Sequence, residues 1–203
     1  MSRLTSFASA FEAFTADIQP LIVKQYGSDD ITALREAWND YTDMLCKDGA
    51  FNALMYHHCP SVDDDMPETS DTAEFMLDAM GFEFDATQLP ARTDRSASEW
   101  DKDATHWRVR FQRNGATFVT EYSMGSAHGG EPQAHDVMES LLQDMDSVDG
   151  YSFEEWADSI GADSDSRKAE ATYNACRKIY AELSPMISGN ERSDMQEIFS
   201  DLY

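Results

Sequence analysis

Asn114-Gly115 stands between two runs of alternating polar and apolar residues, His106 to Phe111 and Thr117 to Tyr122. An Asn-Gly pair so flanked is a strong local signal for a two-residue β-hairpin, because both positions accept the positive φ that such a turn needs. Two strands alone are marginal in water, so this hairpin has to pack on something. The rest of the chain offers helices. Leu4, Phe7, Phe11, Phe14 and Ile18 recur at steps of three and four, as do Ile31, Leu34, Trp38, Tyr41 and Leu45. Ser28-Asp29-Asp30 reads as a helix start, with Ser28 as cap, and Lys47-Asp48-Gly49 as a stop. Thr69 to Met80 reads as a short helix ending at Gly81. After the hairpin, Pro132 opens a helix whose apolar face is Val137, Met138, Leu141, Leu142 and Met145. Ser152 with Glu155 forms a capping-box pattern before Trp156. Asp163 or Asp165 is expected to cap the helix of Ala169 to Tyr180, and a last helix covers about 191–202. The expected class is α+β, mainly helical, with one antiparallel β-hairpin packed on a C-terminal helix group. The expected organisation is a helical region at 1–60, an acidic linker or long loop at 61–104, and the hairpin plus helices at 105–203.

Charge enters next, because it speaks to association rather than fold. The 203 residues hold 39 Asp and Glu against 15 Lys and Arg, a formal net charge of -24. From Asn114 to Ser166 there are twelve acids and no Lys or Arg. Residues 61–103 carry thirteen acids against three bases, whereas 167–203 are nearly balanced. Glu36, Asp40 and Asp43 line up on one helix face, and Asp136, Glu139 and Asp146 on another. Asp63-Asp64-Asp65 makes an acidic loop, and Glu154, Glu155 and Asp158 follow on the capped helix. Like charges at helical spacing cost only a few tenths of a kcal/mol per pair, so a plain solvated face is one reading of the pattern. The other is phosphate mimicry. Duplex DNA carries a charge about every 1.7 Å along its axis, and carboxylates on rigid ridges fit sites built for phosphates. These twelve acids are the expected contacts to a basic, nucleic-acid-binding partner. Direct nucleic-acid binding is disfavoured, since Arg108, Arg110 and Arg113 are a small basic spot within a very acidic chain.

Four segments carry a resemblance. Glu36 to Gly49 is similar to a segment of small uncharacterised tailed-phage proteins. Glu121 to His128, Ser152 to Trp156 and Asp165 to Glu170 resemble phage and prophage accessory proteins. Small acidic phage proteins include inhibitors of restriction enzymes and of CRISPR complexes. The resemblance therefore implies a phage-encoded inhibitor of a bacterial defence complex, a type I CRISPR surveillance complex first and a restriction enzyme second. It would act in the host bacterial cytoplasm. An accessory protein-interaction module without an anti-defence role is the alternative.

Other chemistry is weaker. Cys46, His57, His58 and Cys59 fall within fourteen positions, but structural zinc favours closely spaced ligand pairs and no second Cys-x-x-Cys exists. They read as a packed cluster, and no cofactor is expected. Ser123, Ser126, His128, His135 and Asp136 invite a nucleophile reading, and a small hydrolase using the His128 loop is a further alternative. That loop matches neither a nucleophile elbow nor a phosphate-binding loop, so no enzyme is expected. Trp100, alone in a polar stretch, is either an interface anchor or a contact under a loop. No apolar run approaches a membrane span, no leader is evident at Met1-Ser2-Arg3-Leu4, and three scattered cysteines fit a reducing compartment.

Overall fold

The structure is a computed structural model that describes residues 4–28, 30–68, 71–93, 98–125 and 130–202. It is α+β and mainly helical, with a three-stranded antiparallel sheet packed against helices. The chain divides into two compact units, Met1–Met80 with Asn190–Tyr203, and Gly81–Gly189.

The first unit is helical. It holds α1 (Phe7–Asp17), α2 (Gln19–Tyr26), α3 (Ile31–Lys47), α4 (Ala53–His57) and α5 (Thr72–Ala79). The predicted stripes face inward at Leu4, Phe7, Phe14, Leu34 and Trp38, which are buried, whereas Ile31, the first residue of α3, is exposed. Trp38 meets Phe11 and Phe14 edge-on, with centroids 5.7 and 5.1 Å away, and its indole donates to the Pro60 carbonyl at 2.8 Å. The cap of α3 is Asp30, whose carboxylate accepts from the Ala33 amide at 3.1 Å, rather than Ser28. Asp30 immediately precedes the first helical residue, so its side chain reaches the open amides of the first turn. The predicted residue Asp29 lies outside the described residues, as does Thr69, the expected start of the helix that here begins at Thr72.

The second unit contains the sheet. β2 (Thr105–Arg113) and β3 (Ala116–Met124) form the expected hairpin, with Asn114 at φ 51° and Gly115 at φ 81°. A third strand was not foreseen. β1 (Glu83–Gln88) pairs antiparallel with β2, and α6 (Glu99–Asp103) follows, so residues 61–104 are not one linker. The alternation Phe84, Ala86 against Glu83, Asp85 supports a strand only because β2 supplies a partner ladder. Phe84 lies 4.9 Å from Phe111 across that ladder. One sheet face buries Trp107, Val109, Phe111 and Phe118; the other exposes Arg108, Arg110, Val119 and Glu121.

Behind the hairpin come α7 (Ala134–Val148), α8 (Phe153–Ser159) and α9 (Arg167–Leu183), then a short 3-10 turn at Ser184–Met186. The predicted apolar face of α7 is buried, and α7 packs on α9. The capping box of α8 is present. The cap of α9 is Ser166, not Asp163 or Asp165. The final helix α10 (Gly189–Asp201) buries Met195, Ile198 and Phe199. It belongs to the first unit rather than to a C-terminal helix group, and Asn52 donates to the Asp194 carbonyl at 2.9 Å there.

Candidate functional site

The twelve predicted contact carboxylates fall into two groups, one in each unit. In the first, Glu36 and Asp40 are exposed on α3, opposite buried Leu34 and Trp38. Asp43 is half-buried and already ion-paired with Lys47 one turn on. Asp63 is held by Arg35, which donates from Nε to Oδ1 at 3.0 Å and from Nη2 to Oδ2 at 2.5 Å. That bidentate grip, with a further hydrogen bond from Ser61, holds the Asp63 carboxyl well below the usual carboxylate range. Asp64 accepts from the Ser61 amide at 2.9 Å, and Asp65 is exposed.

In the second unit, Asp136, Glu139 and Asp146 lie on the outward side of α7, with Asp136 and Asp146 exposed. Asp136 Oδ1 is 3.2 Å from Nε2 of the buried His135, and Glu139 accepts from Gln143 at 3.2 Å. Glu154 and Asp158 are exposed on α8. Glu155 differs from them. Its carboxylate accepts the Ser152 amide at 2.9 Å, and that bond lowers its pKa. Sequence spacing thus identified the acidic faces, but not which members already have partners inside the fold.

The three arginines do not form one spot. Arg108 and Arg110 share the exposed sheet face, where Arg110 lies 3.6 Å from Asp85. Arg113 points the other way, donates to the Met186 carbonyl at 2.7 Å and lies over the Phe82 ring at 4.8 Å. Its odd number places it on the opposite face of a strand from 108 and 110, a parity readable from sequence. Glu121 is paired with Arg92 at 2.9 Å.

The nucleophile candidates separate as well. Ser126 and His128 lie outside the described residues. Ser123 is 2.8 Å from Nδ1 of its cross-strand partner, the buried His106, whose Nε2 is 2.8 Å from the Asp101 carbonyl. A carbonyl only accepts, so in the neutral imidazole the hydrogen sits on Nε2 and Ser123 donates to Nδ1. The three groups tie α6 to the sheet. Of the cysteine and histidine cluster, His57 and Cys59 line a hollow of about 410 Å³ with Trp38 and Tyr56. His57 and His58 touch edge to face with centroids 4.8 Å apart. Burial pushes the Cys59 thiol up to about 12, which opposes thiolate chemistry. Among the described residues no group of three His, Cys, Asp or Glu side chains is placed to hold a metal ion. Trp100 is 55% exposed on α6.

A second hollow, of about 380 Å³, lies between the end of β3 and α7. Tyr122, one of its lining residues, has its hydroxyl pKa raised by burial first and then by Asp136 and Glu139. Sequence reasoning picked out those two carboxylates but not the space beside them. The one available signal was the stripe Asp136, Glu139, Ser140 and Gln143, which puts polar residues at helical spacing toward the hairpin.

No protein-family model matches the chain, no curated protein is similar to it in sequence, and no solved structure matches its fold. Among the described residues no helix is long and apolar enough to cross a membrane.

Proposed function

We propose that this protein is a phage-encoded, stoichiometric inhibitor of a bacterial defence complex, acting in the host cytoplasm by presenting carboxylates where that complex binds nucleic acid. The observation that carries the reading is the base-free stretch from Asn114 to Ser166, whose exposed acids Asp136, Asp146, Glu154 and Asp158 stand on two helices anchored by buried faces. Helices so anchored hold charge in place, as a phosphate backbone does. Flexible acidic tails would have to be ordered on binding at an entropic cost. A channel lined with Lys and Arg is the complementary surface, and steering by opposite charge makes association fast and salt-sensitive. The complex we favour is a type I CRISPR surveillance complex, with a restriction enzyme second.

The test is competition. Purified surveillance complex is titrated with a labelled target duplex in the presence of this protein, at several salt concentrations. The expected outcome is loss of duplex binding at equimolar protein, weakening steeply with salt. Reversing Asp146, Glu154 and Asp158 to Lys should weaken inhibition by about a hundredfold, since three lost charge pairs at on the order of 1 kcal/mol each make about 3 kcal/mol. Inhibition that survives both high salt and the triple reversal would remove mimicry as the mechanism.

A further inference from the structure

β3 is an edge strand, because the sheet order is β1-β2-β3. Edge strands expose a row of amide and carbonyl groups that other chains can pair with, and proteins blunt them with Lys, Pro, bulges or short length. β3 has none of these. It runs nine residues, pairs with β2 in unbroken register from Ala116 to Met124, and carries Glu121 as its only charge. Its outward backbone groups have no backbone partner among the described residues. The other edge, β1, is shorter and carries Glu83 and Asp85.

The hollow beside β3 sits on that open edge. One wall is Tyr122 to Gly125. Successive strand side chains point to opposite faces, so Tyr122, Ser123 and Met124 lining one space places it against their backbone edge, and Gly125 follows the strand. β2 occupies the other edge. The facing wall is the α7 stripe Asp136, Glu139, Ser140 and Gln143. At 1.5 Å per helical residue that stripe runs about 10 Å, and the strand segment also covers roughly 10 Å at 3.3 Å per residue. The walls match in length, and the slot is long enough for about three residues of extended chain.

We propose that this groove receives an extended basic segment of a protein partner, which adds to β3 as a fourth strand and seats a Lys or Arg side chain against Asp136 and Glu139. Main-chain hydrogen bonds to the edge supply the register, and the acidic wall selects the side chain. The wall and the net charge of -24 disfavour a second copy of this chain as occupant. The groove shares Asp136 and Glu139 with the mimicry reading but does not require it: the strand edge accepts a partner segment whether or not the acidic helices occupy a nucleic-acid channel.

The test uses isotope-labelled full-length protein and the peptide Ac-Val-Lys-Val-Arg-Val-Lys-Val-NH2, followed by amide chemical shifts. Four controls accompany it: the peptide with Gln for each basic residue, the peptide with its central amides N-methylated, and the protein variants D136N/E139Q and E12Q/D17N, the last at two exposed acids of α1. The expected result is shifts concentrated at 117–125 and 136–143. Binding should weaken about tenfold with the Gln peptide, with N-methylation and with D136N/E139Q, and stay unchanged with E12Q/D17N. N-methylation keeps every charge, so an N-methylated peptide that binds as well as its parent overturns the strand addition. Shifts spread over the acids of α3 and α8, or none on β3 at millimolar peptide, overturn it too.

Discussion

Arg35 and Asp63, 28 residues apart, meet in a two-pronged ion pair that joins α3 to the loop after α4. The pair lies at the surface, so its contribution to stability is small. Under the proposed mimicry the pair matters more for binding. A carboxylate already gripped by a guanidinium has little charge left to offer a partner. D63N should therefore leave inhibition of a nucleic-acid-binding complex nearly unchanged, whereas D40N on the same unit weakens it. Side-by-side titrations of the two variants check this. Equal losses would mean that the Arg35 pair opens on binding.

Glu154 and Glu155 make a similar contrast on α8. Glu155 serves the cap of its own helix, and Glu154 does not. E154K should weaken partner binding with little change in melting temperature. S152A, which deletes the cap oxygen that accepts from the Glu155 amide, should cost about 1 kcal/mol of stability and leave binding intact. Chemical denaturation and the competition assay together separate the two effects.

Asp144 is half-buried on α7, on the side of Cys176 of α9, and burial raises its pKa above the ordinary carboxylate value. The sign follows. A carboxyl whose folded pKa exceeds its unfolded value favours the folded state when protonated. That contribution is present below the unfolded pKa and is lost as pH rises through the folded one. D144N should then raise the melting temperature at pH 7 and change it little at pH 3. A variant less stable at pH 7 would show that the charge itself holds the helices together.

The indole nitrogen of Trp156 is buried without a hydrogen-bond partner among the described residues. Its ring packs with Phe153 and Tyr173 at 6.3 and 5.6 Å. An orphan buried donor costs roughly 1–3 kcal/mol, which offsets part of what the ring contributes. W156F should lie within about 1 kcal/mol of the parent, while W156A, which empties the site, should lose roughly 3–5 kcal/mol. Urea melts of both distinguish ring packing from a hidden hydrogen bond.

Gly115 sits at φ 81° with open space where a Cβ would point. G115A therefore tests the backbone alone, and should cost roughly 1–2 kcal/mol for the left-handed conformation. A neutral result would mean that the turn relaxes to another type.

The parts of this fold that were legible in the sequence are those decided within a few residues. The Asn114-Gly115 turn, the Ser152–Glu155 box and the apolar stripes of α1, α3 and α7 each depend on neighbours one helical turn or one hairpin away. β1 was not legible, because Glu83 to Gln88 is short and polar and is a strand only by pairing with residues 107–112. The caps at Asp30 and Ser166 were missed by one to three positions, since several adjacent residues carry the same capping chemistry and backbone direction chooses among them.

The acidity follows the same division. Composition and periodicity alone determined that carboxylates would cluster on helix faces, because charge and helical spacing are properties of the local chain. Which of those carboxylates are spent was decided only by tertiary structure. Arg35 reaches Asp63 past the whole of α4, Asp144 comes to the side of Cys176 past the whole of α8, and the slot between β3 and α7 exists only once the strand and the helix lie side by side. Such contacts depend on distances through space, and a pattern of spacings along one chain does not contain them.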